Sequence, residues 1–160
     1  MPTYERSTRV GASFQDVWEF HSTEQGLVDL TPDWMNLEIE SVTGPEGDPD
    51  PEVLEVGSVV TSSVRPFGVG PRQTWVSKIT ARDRSQGAGY FQDVMTDGPF
   101  RRWVHTHMFY ADGEATLVRD SVEYRLPLGG LGDALGTLAT VGFEPMFQYR
   151  HRKTRELLER

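Results

Sequence analysis

Cysteine is absent from these 160 residues. That excludes disulfides, zinc ribbons and thiol nucleophiles, and it suits a reducing compartment. Lysine is almost absent too: Lys78 and Lys153 are alone among 16 basic residues, set against 24 Asp and Glu, for a formal net charge of −8. Such a field repels nucleic-acid backbones, so no nucleic-acid partner is expected. An acidic, lysine-poor surface stays hydrated in concentrated salt, and the composition fits a halophilic source and an ordinary acidic bacterial protein equally well. No apolar run approaches the roughly 20 residues of a membrane span. The start, Met1-Pro2-Thr3-Tyr4-Glu5-Arg6, lacks the basic stretch and apolar run of a signal peptide. A cytoplasmic chain is expected.

What is present reads as one domain over 1–160, with 37% apolar and 25% charged residues. Residues 3–10 alternate as a strand would. Ser13-Phe14-Gln15-Asp16 opens a helix carrying Phe14, Val17, Trp18 and His21, and Ser22-Thr23-Glu24-Gln25 opens a second with Leu27, Val28 and Leu30. Residues 36–43 alternate, residues 44–51 form an exposed Pro- and Gly-rich loop, and further strands fall at 57–66, 73–84, 88–96, 100–111 and 114–126. Beyond Gly130 the period becomes helical, with Leu131, Leu135, Leu138, Val141, Met146, Tyr149 and Leu157 on one stripe. Pro145 should kink that helix near Val141. The expected class is α+β: a seven-stranded curved antiparallel sheet, two short helices after strand 1, and a long C-terminal helix over the concave face.

That order of elements resembles the helix-grip fold of the START, pathogenesis-related allergen and polyketide cyclase/dehydrase (SRPBCC) superfamily. Gly98-Pro99-Phe100, Trp103, His105, His107 and Phe109, followed by Asp120, Val122, Tyr124 and Pro127, are similar to a pattern in a prokaryotic ligand-binding branch of it. Met146-Phe147-Gln148-Tyr149-Arg150-His151-Arg152 resembles that branch's last helix. Branch members stand alone or precede a nucleotide-sugar-type domain, for which 160 residues leave no room. The resemblance implies the fold and, far more weakly, a function.

The chemistry-bearing residues cluster on one hairpin. Asp112-Gly113 between alternating runs predicts a two-residue turn. Ala111 would then pair with Glu114, His107 with Val118, His105 with Asp120, Trp103 with Val122 and Arg101 with Tyr124. Period-two alternation puts Trp103, His105, His107 and Phe109 on one face with Asp120 and Tyr124. His105 oriented by Asp120 could be a catalytic acid or base, or a satisfied cross-strand pair. His105-x-His107 offers two metal ligands, but a site needs a third, and Asp120, Glu123 or His21 could be named only by guesswork. No metal and no cofactor is therefore expected. Asp93 is left open: it meets either Arg102 on the far face or the His105 face. The basic run from Arg150 to Lys153 reads as a solvated helix end.

Bulky aromatics from sheet and helices opposite a glycine-studded last helix argue for an unfilled interior. The leading expectation is a carrier or sensor for a small apolar or aromatic molecule. Trp103, His105, His107, Phe109, Tyr124, Phe91, Trp18 and Arg101 would contact it. A cyclase- or dehydratase-like enzyme using His105 and Asp120, or a protein-interaction module, are the alternatives. The residues say nothing about oligomeric state.

Overall fold

The computed structural model describes residues 2–126 and 136–159. Strand β1 (Thr3–Val10) leads into helices α1 (Phe14–His21) and α2 (Glu24–Leu30) and a 3-10 turn at Asp33–Met35. Six strands follow: β2 (Glu38–Thr43), β3 (Val59–Val64), β4 (Gln73–Ser85), β5 (Ala88–Asp97), β6 (Arg102–Asp112) and β7 (Ala115–Arg125). Helix α3 (Gly136–Leu158) ends the chain. The strands form one antiparallel sheet in the order β1-β7-β6-β5-β4-β3-β2. This is the helix-grip architecture the residue pattern implied.

Local chemistry places the two short helices. The Ser13 hydroxyl accepts from the Asp16 N–H at 3.2 Å, and the Thr23 hydroxyl accepts from the Gly26 N–H at 3.2 Å, satisfying an orphan donor at each start. Helix α1 buries Val17, Trp18 and His21 against the sheet. There Trp18 meets Phe109 edge-on at 5.7 Å and Phe91 at 6.3 Å. Gly89 makes that contact possible, since a Cβ on it would lie 2.8 Å from the Trp18 ring.

Two features of the sheet depart from simple alternation. The β4–β5 ladder shifts register twice, with Thr96 of β5 surplus beside Val76 and Ser77 and Thr80 of β4 surplus between Ile79 and Ala81, and β2 carries a shift between Ile39 and Ser41. Surplus residues of this kind bend a strand and increase its twist. The second is the β6–β7 hairpin, where Asp112 pairs with Ala115, so the turn residues are Gly113 and Glu114. Gly113 alone in the turn has positive φ, 62°. A turn on Asp112-Gly113 would need positive φ at Asp112 as well. The expected pairing is corrected by two residues: His107 faces Asp120, His105 faces Val122, Trp103 faces Tyr124 and Phe109 faces Val118. A shift of two preserves every face and changes every partner.

The last helix is also phased differently. Among its described side chains the buried ones are Phe143, Phe147, His151 and Thr154, while Leu157 is 43% exposed. Leu131 and Leu135 lie outside the described residues, as do the side chains of Leu138 and Val141. Pro145 sits inside α3 as an exposed residue. Phe143 and Phe147 pack on Tyr4, Trp103, Val122 and Tyr124 in a second core cluster, separate from the one around Trp18 and Phe109. Glu144 accepts from both Tyr4 and Arg6, tying the helix to the edge strand β1. Among the described residues, no helix is long and apolar enough to cross a membrane.

Candidate functional site

Between the sheet, α2 and α3 lies a cavity of about 160 Å³. Leu27, Leu30, Leu54, Val60, Trp75 and Ile79 make its walls, and Phe147 and Met146 of α3 close one side. One pole is polar, formed by Ser77, Asp93, His105, His107 and Arg150. The alternation of β4, β5 and β6 creates that pole by aiming residues 77, 93, 105 and 107 to the same side.

Behind the pole runs a buried network. His105 and His107 stack, ring centroids 3.6 Å apart, and Phe91 stacks on His107 at 4.0 Å. Although His105 pairs across the ladder with Asp93, its Nε2 donates diagonally to Asp120 Oδ1 at 2.7 Å. His107, opposite Asp120, donates from Nε2 the other way, to Asp93 Oδ2 at 2.8 Å. The Ser77 hydroxyl donates to Asp93 Oδ1 at 3.0 Å, and His151 of α3 donates to Asp120 Oδ2 at 2.6 Å. Among the described residues, the Nδ1 atoms of His107 and His151 have no hydrogen-bond partner.

The electrostatics follow from this packing. Burial would push the Asp120 carboxyl up, but hydrogen bonds from His105 and His151 hold it well below the ordinary carboxylate range. Asp93 is likewise held low against its burial by the His107 hydrogen bond and the nearby His105. Burial pushes the His107 imidazole down to about 4, with His105 adding to the effect. Burial also pushes His21 down to about 3, against the hydrogen bond from its Nδ1 to the Val17 carbonyl at 2.8 Å. Arg150 is lowered by burial despite Asp120 and Asp93 nearby, and its guanidinium has no hydrogen-bond or ion-pair partner among the described residues. Two ionised carboxylates and a half-buried guanidinium, which lies over the Phe147 ring at 6.0 Å, therefore share the polar pole.

The structure sorts the residues named from sequence. Trp103, His105, His107 and Phe91 line the cavity. Phe109, Tyr124 and Trp18 do not: each is buried in the aromatic core. Arg101 is corrected outright, since it is exposed in the β5–β6 connection and bonds Arg125 through its backbone. Asp120 sits behind the imidazoles. Asp93, left open by the sequence, joins the His105 face because Val94 pairs with Val104, which leaves an odd-length connection between the strands. The sequence reading missed Arg150, His151 and Ser77 as site residues. The expected solvated face at Arg150 to Lys153 is corrected for its first half: Arg150 lines the cavity and His151 is 2% exposed. A stripe drawn through Phe143, Phe147, His151 and Thr154, at spacings of four, four and three, would have found His151.

Residues 10–146 match the model of the family described as polyketide cyclase / dehydrase and lipid transport. No curated protein matches the chain. Among solved structures, the chain is similar to TTHA0849 from Thermus thermophilus, at 19% identity and a TM-score of 0.64, covering 97% of this chain and 95% of that one. It is similar to truncated norcoclaurine synthase from Thalictrum flavum, at 20% identity and a TM-score of 0.65, covering 99% and 94%. It is also similar to part of a nucleoside-diphosphate sugar epimerase from Corynebacterium glutamicum, at 21% identity and a TM-score of 0.65, covering 96% of this chain and 28% of that one. At these identities the likeness shows the fold alone.

Proposed function

Because the chain belongs to the polyketide cyclase/dehydrase and lipid-transport family, we propose that it binds a small, mainly apolar or aromatic molecule beneath α3, as a carrier or sensor. The observation that carries this is the cavity of about 160 Å³ with apolar walls and one polar pole. A dry cavity of about 150 Å³ accepts a benzene ring, so one ring fits without rearrangement. A longer guest requires α3 or α2 to move. Apolar walls supply affinity, and a few convergent polar groups fix orientation. The polar end of the guest faces His105, His107 and Arg150, which suits an acidic or hydroxyl-bearing head.

Trp75 and Trp103 line the cavity, so tryptophan fluorescence reports occupancy. Titration with benzoate, phenol and benzyl alcohol should give saturable binding, and Leu27→Trp, which places an indole in the space, should abolish it. Absence of saturable binding to the parent protein, or binding unchanged by Leu27→Trp, defeats the reading. A second reading rests on the 2.7 Å His105–Asp120 hydrogen bond, which fixes the imidazole tautomer as acid–base catalysis requires. It gains only if His105→Gln spares binding while stopping turnover of a bound compound.

A further inference from the structure

We propose that Asp93, His105 and His107 form a three-ligand site for a divalent transition-metal ion, open to the cavity. Their ligand atoms lie within 4.8 Å of one another. Asp93 Oδ2 is 2.8 Å from His107 Nε2 and 3.9 Å from His105 Nδ1. Metal–ligand bonds of about 2.0–2.2 Å in a tetrahedral site place ligand atoms roughly 3.4 Å apart. Of the two Asp93 contacts, one must open and the other close by about half an ångström, and the two imidazole nitrogens, within 4.8 Å, must settle to the same spacing by side-chain rotation. Imidazole nitrogens with a carboxylate oxygen suit zinc, iron(II), cobalt or nickel, and disfavour calcium and magnesium.

The hydrogen-bond pattern makes the case stronger than proximity does. With Nε2 of His105 donating to Asp120, its Nδ1 holds a lone pair that faces the Asp93 carboxylate. With Nε2 of His107 donating to Asp93, its Nδ1 holds a lone pair, partnerless and 3.4 Å from Asp120 Oδ1. Acceptor faces acceptor at both places, and such contacts inside a protein are costly. One cation on His105 Nδ1, His107 Nε2 and Asp93 Oδ2 removes both conflicts. It meets the first lone pair directly. It also frees His107 to carry its proton on Nδ1, aimed at Asp120. Asp120 then orients both ligating rings, and His151 and Ser77 hold the two carboxylates from behind. Carboxylates behind ligating histidines are the usual support of a metal site. Asp93, His105 and His107 all line the cavity, whereas Asp120 does not, so the ion's remaining positions face the open space. Three protein ligands and a free position are the form taken by metals that bind or activate small molecules.

The test uses chelator-stripped full-length protein, titrated with Zn²⁺ by calorimetry and with Co²⁺ by visible absorption. One equivalent should bind, with ligand-field bands for Co²⁺ and a raised Tm for the Zn²⁺ form. Asp93→Asn and His107→Gln should weaken binding at least about 100-fold, and Asp120→Asn, which removes only the support, roughly 10- to 100-fold. If a variant fails to fold, imidazole nitrogen NMR of the parent protein should still move His105 Nδ1 and His107 Nε2 on adding Zn²⁺. No binding at millimolar metal, or binding indifferent to Asp93→Asn and His107→Gln, overturns the site and leaves protons to resolve the conflicts. The site does not depend on the cavity's occupant: aromatic compounds that bind the stripped protein uphold the cavity reading whatever the metal result.

Discussion

Acid should destabilise this fold through His21, and the size of the effect follows from its burial. The ring is 9% exposed, packs on Phe109 at 4.8 Å and spends its one donor on the Val17 carbonyl. Burial pushes it down to about 3, Arg150 reinforces this, and Asp120 opposes it weakly. In the unfolded chain the same imidazole titrates near 6.5. Between those values the unfolded state binds the extra proton, so stability is whole above about pH 6.5 and falls as pH drops toward 3. From about pH 7.5 to about 5.0 the loss from this residue is about 2 kcal/mol. His21→Leu removes the titration while the Val17 carbonyl keeps its helical partner, the backbone N–H of residue 21. Urea unfolding followed by tryptophan fluorescence, in chelator at about pH 7.5, 6.0 and 5.0, should show the parent losing about 2 kcal/mol more than the variant across the range. Equal losses in the two proteins refute the argument, because a neutral buried His21 would then contribute nothing to the acid response.

Phe147 is fully buried and touches Tyr4 at 5.2 Å and His105 at 5.3 Å. Phe147→Ala should therefore cost about 3–5 kcal/mol in urea unfolding and enlarge the cavity. Gly89→Ala drives a methyl into the Trp18 ring and should cost about 1–3 kcal/mol, with a blue shift or quenching of Trp18 emission as the ring moves. Arg150→Met should weaken benzoate at least about tenfold while leaving benzyl alcohol within about twofold. Equal effects on the two compounds would show that the guanidinium makes no charge contact with the guest.

The fold was legible because its signals are local and periodic. Ser13 and Thr23 mark helix starts, the strands alternate, and Gly87 and Gly113 sit in turns where φ is positive. The inward face of β6 was legible for the same reason. The partners of that face were not. Asp112-Gly113 and Gly113-Glu114 are both plausible turns in letters alone, and only the backbone chooses between them. His105 still finds Asp120 because a diagonal neighbour lies within reach of an imidazole, so the right contact emerged from the wrong register. Asp93 was undecidable because its face depends on the length of a connection containing Pro99. Arg150 and His151 were obscured by the charge of their neighbours Arg152 and Lys153: a basic run hides a buried stripe unless the positions are read four apart.

Thr80, the surplus residue of β4, turns that strand into two instruments. Before it, Trp75, Ser77 and Ile79 look toward the guest space; after it, the inward phase passes to Arg82, opposite Phe91. Arg82 lies over the Trp18 ring at 4.7 Å and donates to Ser22 at 3.0 Å, clasping the end of α1. Loss of that single residue would leave Ala81 opposite Gln92 and Arg82 opposite Phe91 in an unbroken ladder, keeping the clasp and removing only the local bend and added twist. The extra residue therefore sets how sharply β4 curls over α1, while the pairing with β5 decides which side chains look inward.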